Sequence, residues 1–279
     1  MRSYAYYNGI FAPYGEIKIP LTDRAVFFGD GVYDAAVGMN GKIYRFHEHF
    51  LRFEKNAKLM RIRFSLSEDK LLEIINSLIT KSCLRSYFIY FQVSTSGAVR
   101  MHERLKSYEP NLLVTVKPWS IPNEPESISL CTVPDNRHGL CNIKSLNLLA
   151  SVMSLSSAVE CGFDECAFIN NGFVSECAHS NIFIVKSGEI ITTPLSKSVL
   201  SGITRSSVIK LACERKIPVK IKKISYDELI TADEAFITST SRLCQGIRRI
   251  NTRKISENNE IQRKIWQIIY EDYLRNLQN

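Results

Sequence analysis

The chain has 279 residues, of which 45% are hydrophobic and 23% charged, and a formal net charge of +8. This composition is that of an ordinary globular protein and excludes a disordered or fibrous one, while the length favours two domains of about 100–150 residues each. The densest basic stretch, residues 216–223, interleaves lysine with isoleucine and valine, which favours a strand with one solvated face over a polyanion site. No nucleic-acid partner is therefore expected.

The eight cysteines are scattered singly along the chain. Cys161 and Cys166, the closest pair, do not match the short gap of zinc knuckles and redox motifs, so reduced thiols and no metal site are expected. The N-terminal residues lack the apolar core of a signal peptide, and no later apolar run approaches the roughly 18 residues needed to cross a bilayer. These features predict a cytoplasmic protein without a membrane partner.

The N-terminal half combines strand and helix patterns. Residues 6–19 alternate apolar and polar side chains, which predicts a β-meander. Apolar residues at helical spacing predict amphipathic helices at 48–62 and at about 68–82. β-branched and aromatic residues predict two further strands at 87–94 and 111–117.

A cluster of three prolines interrupts both regular structures after the last of these strands. It predicts a linker at 118–125 between an N-terminal domain, 1–117, and a C-terminal domain, 126–279. The C-terminal pattern begins with a strand, continues with a helix at 145–162 and a hairpin at 165–176, and then adds another hairpin and another helix. The predicted fold class is α+β in both halves.

Lys144 is the first candidate functional residue, in the segment CNIKSLNLLAS. It lies where a short extended run meets a helical pattern, next to the apolar residues Ile143 and Leu146. Desolvation by such neighbours favours the neutral amine, which is the form able to attack a carbonyl carbon. A lone lysine is more often a surface residue, so this interpretation depends on the other motifs.

Two segments could bind a phosphate group. SGITRSS, residues 201–207, places a glycine and small polar residues, Thr204 among them, at the start of a helix, where free backbone N–H groups favour an anion. FITSTS, residues 236–241, runs a strand into successive hydroxyl side chains. Arg52 could add a cation. An ordinary helix cap, a polar loop and a surface arginine are the respective alternatives.

These segments, in this order, resemble the fold-type IV pyridoxal-phosphate enzymes, the family of D-amino acid and branched-chain aminotransferases and of aminodeoxychorismate lyase. The resemblance runs from DRAVFFGDGVY, residues 23–33, through IKSLNLLASV, VSECAHSNIF and SGITR to ITSTS. It implies pyridoxal 5'-phosphate as cofactor and a two-domain α+β fold, with a smaller N-terminal α/β lobe and a larger C-terminal β-barrel-like lobe with flanking helices.

The resemblance also implies roles for individual residues. Lys144 matches the Schiff-base lysine, and Glu176 matches the carboxylate that keeps the pyridine nitrogen of the cofactor protonated, although alone it could be an exposed strand residue. Leu200 matches a leucine that packs on the cofactor ring, and Arg137 an arginine that helps to hold the lysine region. The residues that match the phosphate ligands are Arg52, Ile203, Thr204, Ser239 and Thr240.

Within the family, the chain resembles the D-amino acid aminotransferases most. The resemblance implies that Tyr33, Arg100 and His102 bind the substrate α-carboxylate, with Ser241 also at the substrate, because the planar guanidinium of arginine can bond both carboxylate oxygens. It further implies amino acids such as D-alanine and 2-oxo acids such as 2-oxoglutarate as substrates. The expected assembly is a homodimer in which the loop of Arg100 reaches the neighbouring subunit's site.

Two departures from the family pattern leave the substrate range open. Asp34 stands where a glutamate is expected, and the run CAHS, residues 177–180, replaces a small, serine-rich one. A branched-chain L-amino acid aminotransferase and 4-amino-4-deoxychorismate lyase would share the cofactor residues, although Arg100 with His102 argues against the former. A non-enzymatic scaffold would be free to lose Lys144 and both phosphate-binding segments.

Overall fold

The computed structural model describes residues 2–97, 99–121, 127–255 and 259–278. Residues close in space form two compact units. The first contains Met1–Ser120, Ile143–Asn147 and Arg275–Asn279, and the second Ile121–Asn142 and Leu148–Leu274.

The segment around Lys144 belongs to the first unit. The predicted domains, each a continuous stretch of chain, had placed it in the C-terminal domain. The Tyr33 backbone N–H donates to the Lys144 carbonyl at 2.9 Å, and Ser145 forms a β-bridge with Val32. Of the linker predicted at 118–125, Pro118 ends a strand, and 122–125 lie outside the described residues.

The first unit is built on a six-stranded antiparallel sheet in the order β2-β1-β6-β5-β3-β4. Its elements in chain order are β1 (Tyr4–Tyr7), β2 (Ile10–Pro13), α1 (Ala25–Phe28), β3 (Gly31–Met39), β4 (Lys42–Ile43), α2 (Phe46–Leu59), α3 (Glu68–Ser82), β5 (Ser86–Ser94) and β6 (Asn111–Pro118). The meander predicted for residues 6–19 is wrong beyond Pro13. Proline cannot donate to a strand ladder, and the next three residues form a 3-10 turn.

The two helices predicted in this half are confirmed as α2 and α3. Ser67 caps α3 by accepting a hydrogen bond from the Lys70 backbone N–H at 3.3 Å, and two acidic residues in the first turn suit the positive helix end. Leu71, Ile75 and Leu78 are fully buried at helical spacing. They join the core formed by alternate residues of β5, and each such side chain contributes about 1.5–3 kcal/mol of burial free energy.

The second unit contains a nine-stranded sheet. Its elements are β7 (Ser127–Pro134), α4 (Leu149–Glu160), β8 (Glu165–Asn170), β9 (Phe173–Cys177), β10 (Asn181–Lys186), β11 (Glu189–Thr192), α5 (Ile203–Glu214), β12 (Val219–Ile221), α6 (Tyr226–Ile230), β13 (Glu234–Ser239), β14 (Leu243–Ile250), β15 (Arg253–Lys254) and, up to Leu274, α7 (Glu260–Gln278). The strand order is β12-β11-β10-β13-β14-β7-β8-β9, and β15 pairs with β14. The Val174 N–H in β9 donates to the carbonyl of Ile224, just after β12, at 2.8 Å. The two ends of the sheet therefore meet, which confirms the barrel-like prediction.

Both faces of this sheet are buried. Ile182 and Ile184 of β10 face one apolar cluster, while Phe183 faces another that includes residues of α5 and α7. The Phe183 ring stacks on that of Phe236 with centroids 4.8 Å apart. The predicted hairpin at 165–176 is confirmed as β8 and β9, and the positive φ angles of Asn171 and Gly172 give its tight turn.

Helix α4 begins at Leu149, four residues later than the sequence pattern predicts. The Ser145 N–H donates to the Ile143 carbonyl at 2.8 Å, and Leu146 N–H donates to Gly31 O at 3.0 Å. The local bond between Ser145 and Ile143 and the tertiary bond to Gly31 keep 145–147 out of the helix despite their helical periodicity, so the predicted start at 145 is wrong.

Candidate active site

Lys144 lies in the first unit, half-buried and in contact with Tyr33 of β3. Its Nζ donates to the Tyr33 hydroxyl at 3.4 Å and lies 4.4 Å from the ring centroid. Tyr90 of β5 stacks on the Tyr33 ring, with the two ring centroids 5.3 Å apart. Within the first unit, no carboxylate among the described residues forms an ion pair with the Lys144 amine.

Asp34 follows Tyr33 on β3 and binds two side chains of α2. Its fully buried carboxylate accepts two hydrogen bonds from Arg52, each at 2.8 Å, and one from His49 at 2.7 Å. Burial opposes ionisation, but the charges of Arg52 and His49 hold the pKa of Asp34 well below its usual range. The shorter side chain at position 34 thus fixes Arg52, the arginine predicted to bind phosphate.

His49 is the nearest imidazole to this group and is itself almost completely buried. Burial lowers the pKa of His49, and the positive charges of Arg52 and Lys144 act in the same direction, against the Asp34 carboxylate. No sequence motif marks His49, although its spacing of three residues from Arg52 on α2 places both on one helix face.

Arg100 and His102, predicted to bind the substrate carboxylate, lie together on an exposed loop of the first unit. The Arg100 guanidinium lies 5.3 Å from the Phe28 ring centroid, and the His102 ring centroid lies 5.4 Å from it. Within the described part of this unit, neither side chain has a hydrogen bond or ring contact with Lys144. The structure thus brings the two to one loop but not to the lysine of the same chain.

In the second unit, Glu176 is anchored by Arg137. The Arg137 guanidinium donates to Glu176 Oε1 at 2.7 Å and makes two bonds of 2.9 Å to Asp135, while lying 4.1 Å from the Phe168 ring centroid. Burial opposes the arginine charge, but Asp135 and Glu176 keep the pKa of Arg137 above its usual value. Glu176 is therefore a buried, charge-matched carboxylate rather than an exposed strand residue.

Asn181 connects Glu176 to Leu200. The Asn181 side-chain amide donates to Glu176 Oε2 at 3.2 Å and to the Leu200 carbonyl at 3.0 Å, while the Leu200 N–H donates to Glu176 Oε2 at 2.9 Å. Gly202 follows, and a Cβ at that position would collide with the Asn181 amide. This close approach, which favours glycine, brings the start of α5 against the start of β10. Asn181 was not predicted, since nothing local distinguishes an asparagine at the start of a strand.

Each of the two segments predicted to bind phosphate contains hydrogen-bond donors without an acceptor among the described residues. Helix α5 starts at Ile203 with no side-chain cap on Gly202, so its first N–H groups have no intrahelical acceptor. Thr204 is buried, and Ser239 and Thr240 are half-buried where β13 ends. The buried Thr238 hydroxyl has no hydrogen-bond partner within the described residues. Each segment has the donor chemistry that a phosphate dianion requires.

The described residues omit 1, 98, 122–126, 256–258 and 279. They contain no helix with the combined length and hydrophobicity for a membrane span, and no group of three or more His, Cys, Asp or Glu side chains arranged to hold a metal ion. The eight cysteines are all free thiols.

Similarity to known proteins shows the family of the chain. Residues 31–250 match the profile of the family described as amino-transferase class IV. The chain belongs to this family. It is therefore a transaminase of class IV, and the fold-type IV resemblance found in the sequence is confirmed.

Several class IV aminotransferases are similar over most of the chain. The D-alanine aminotransferase of Bacillus licheniformis is 34% identical over 237 residues, which is 84% of each protein, and that of Staphylococcus epidermidis is 30% identical over 253 residues, 90% of each. Among solved structures, the branched-chain amino acid aminotransferase from Escherichia coli has a TM-score of 0.90 and 26% identity, covering 99% of this chain and 96% of that one. The fold is thus shared across substrate classes.

Proposed function

We propose that this class IV aminotransferase transfers the amino group of a D-amino acid, such as D-alanine, to a 2-oxo acid, such as 2-oxoglutarate. The observation that carries the proposal is the pair formed by Arg100 and His102, which one loop presents beside Phe28. A guanidinium and an imidazole at one exposed position suit an α-carboxylate, the group that every amino acid and 2-oxo acid substrate shares. The similar D-alanine aminotransferases support the choice of D-amino acids.

Pyridoxal 5'-phosphate is the proposed cofactor. The uncapped start of α5, the close approach at Gly202 and the Thr238 hydroxyl, which has no partner among the described residues, suit its phosphate group. Ile203, Thr204, Ser239, Thr240 and Arg52 would hold that phosphate, and Leu200 would pack on the ring. Lys144, an amine with no ion pair among the described residues of its unit, would bind the aldehyde carbon.

When bound, pyridoxal phosphate supplies an aldehyde that accepts an amino group and a ring that withdraws electrons from the substrate Cα. Lys144 Nζ is the base that takes the Cα proton and later returns it. The Tyr33 hydroxyl, 3.4 Å from that amine, keeps it oriented. The Glu176 carboxylate stays in one position because Arg137, Asn181 and the Leu200 N–H donate hydrogen bonds to its two oxygens.

A substrate panel tests the proposed reaction. With 2-oxoglutarate as acceptor, D-alanine is expected to react, while L-alanine, its mirror image, is expected to react at least about 100-fold more slowly in kcat/KM, equivalent to about 2.7 kcal/mol. Turnover of L-leucine with no D-alanine activity would instead establish the branched-chain alternative. Release of pyruvate from 4-amino-4-deoxychorismate would establish the lyase.

The proposed assembly is a homodimer in which Arg100 and His102 serve the partner's site. It is supported by their exposure and by the lack of contact with Lys144 in the described part of their own unit. Arg100→Ala is expected to raise the KM of both substrates about 10- to 100-fold, because a charge-assisted carboxylate contact is lost. Its absorption spectrum should match that of the unchanged enzyme.

Mixing subunits tests the sharing of residues. Hybrids of Lys144→Ala chains with Arg100→Ala chains should regain up to about one quarter to one half of the activity at low substrate concentration, since one site of each hybrid dimer keeps both residues. No recovery after verified subunit exchange would show that each chain uses its own Arg100. A monomer in sedimentation would contradict the assembly itself.

A further inference from the structure

Asp30 is a buried carboxylate that no step of the proposed reaction uses. It lies between α1 and β3 and accepts hydrogen bonds from Arg24 Nε at 2.9 Å, Arg104 Nε at 2.9 Å and the Thr95 hydroxyl at 2.7 Å, while Arg104 Nη2 bonds its other oxygen. Burial opposes its ionisation, but Arg104, Thr95 and Arg24 hold the pKa of Asp30 below its usual value. Asp30 therefore joins two arginines as a charged, hydrogen-bonded centre.

Both arginines fasten the loop that carries Arg100 and His102. Arg24 donates to the backbone carbonyls of Met101, His102 and Glu103, the last two at 3.0 and 3.3 Å. Arg104, at the end of this run, also donates to the Met60 carbonyl at 2.6 Å. Arg24 thus holds three consecutive backbone carbonyls of the loop, while the side chains of residues 100 and 102 stay exposed.

The Phe28 ring contacts the side chains of Arg100 and His102. Its ring lies 4.5 Å from the Arg24 guanidinium carbon and 5.3 Å from that of Arg100, and its centroid is 5.4 Å from the His102 ring. Stacking of cations on an aromatic face favours these positions. Phe28 and Asp30 are two residues apart in one turn, so a single short segment fixes both the backbone and the side chains of the loop.

We propose that Asp30, acting through Arg24 and Arg104, is a positioning residue that presents Arg100 and His102 to the carboxylate of the substrate. This inference rests on the proposed function, because it assigns that carboxylate to the pair. Asp30 is buried and bonded to both arginines, so it would act through them rather than by contact with the substrate. Its loss changes substrate affinity because a loop free to move by about 1 Å no longer holds a two-point carboxylate contact.

Asp30→Asn in the complete holoenzyme tests the proposal. The asparagine keeps the volume but removes the charge and turns an NH₂ group toward an arginine donor. The expected result is a KM for D-alanine and for 2-oxoglutarate raised about 10- to 100-fold, with kcat within about twofold and an unchanged affinity for added pyridoxal phosphate. Independently of activity, hydrogen exchange of the backbone amides at 99–108 should accelerate in the apoenzyme.

Asp23→Asn is the matched control. Asp23 is fully buried in the same segment, but it accepts hydrogen bonds from Tyr7 and Ser94, at 3.0 and 2.7 Å, rather than from the loop arginines. It should lower the melting temperature without raising KM or accelerating loop exchange. Equal effects of the two variants on KM would reduce Asp30 to a structural role and overturn the inference.

A double variant separates the two proposals. If Asp30 acts through Arg100, then Asp30→Asn should add little to the KM of Arg100→Ala, because both remove the same contact. If the increases in KM of the two single variants multiply in the double variant, the inference is overturned and the proposed function stands. The same holds if KM rises in Arg100→Ala but is unchanged in Asp30→Asn. An unchanged KM in Arg100→Ala overturns both the inference and the assignment of the carboxylate.

Arg104→Met provides a milder variant if Asp30→Asn fails to fold. The methionine keeps part of the apolar stem, and the Arg104 side chain is 27% exposed, so the loss of packing is small. Its expected effects on KM and on loop exchange have the same direction as those of Asp30→Asn. Normal KM values in a folded Arg104→Met enzyme that also keeps slow loop exchange would contradict the proposal.

Discussion

Replacing Lys144 with alanine is expected to reduce transamination by at least about 10⁴-fold, because the same amine binds the cofactor and transfers the proton. The near-visible absorption of the lysine-bound cofactor should disappear at the same time. Borohydride should fix radioactive or mass-labelled cofactor to the peptide around Lys144 in the unchanged enzyme and to no lysine in the variant. The chain has the geometry for this role, since Nζ meets a tyrosine hydroxyl and no carboxylate within the described part of its unit.

Lys223→Ala is the control for this variant. The Lys223 amine also lies over an aromatic ring, 5.2 Å from the centroid of Phe173, but its side chain is exposed on the second unit. Its loss should leave kcat, KM and the absorption spectrum unchanged. Turnover or a persistent lysine-bound spectrum in Lys144→Ala would refute the assignment of Lys144 and require another lysine to carry the cofactor.

The sequence reveals candidate residues where a local pattern marks them. The glycine at the start of α5 and the hydroxyl run after β13 stand in contiguous segments, so the donors they supply could be predicted from a few residues each. The amphipathic helices α2 and α3 and the Asn171-Gly172 turn were predictable for the same reason, because their periodicity or backbone conformation is local. The roles of the individual residues in catalysis stay predictions.

Contacts between distant segments escaped prediction because no local signal encodes them. Asp30 and Arg104 are 74 residues apart, and Arg137 and Glu176 are 39 apart, yet each pair forms a short ion pair. The late start of α4 has the same origin, since a backbone bond to Gly31 outweighs the helical propensity of the segment that carries Lys144. Long-range hydrogen bonds therefore determine how the candidate residues are oriented, while local patterns determine which segments carry them.

Replacing Glu176 with glutamine is expected to lower kcat about 100-fold or more, with the lysine-bound cofactor retained. The glutamine has nearly the same shape but no charge, so nothing would hold the proton on the pyridine nitrogen while Cα loses its own. Its NH₂ group would also face a donor on either side: Arg137 Nη1 at one oxygen position, or Asn181 Nδ2 and the Leu200 N–H at the other. That conflict should lower the free energy of unfolding by about 1–3 kcal/mol.

Because Glu176→Gln affects both stability and catalysis, a second buried glutamate is needed to separate the two. Glu234 on β13 is 6% exposed and accepts hydrogen bonds from the Ile261 and Gln262 N–H groups at 3.0 and 2.8 Å, at the start of α7. Glu234→Gln should lose comparable stability by the same mechanism, a donor facing a donor, while kcat stays within about twofold. If both variants lose kcat in proportion to their lost stability, Glu176 serves packing alone and its proposed electrostatic role is wrong. If Glu176→Gln loses kcat at temperatures where both variants are fully folded, the charge that Arg137 holds in place acts on the reaction itself.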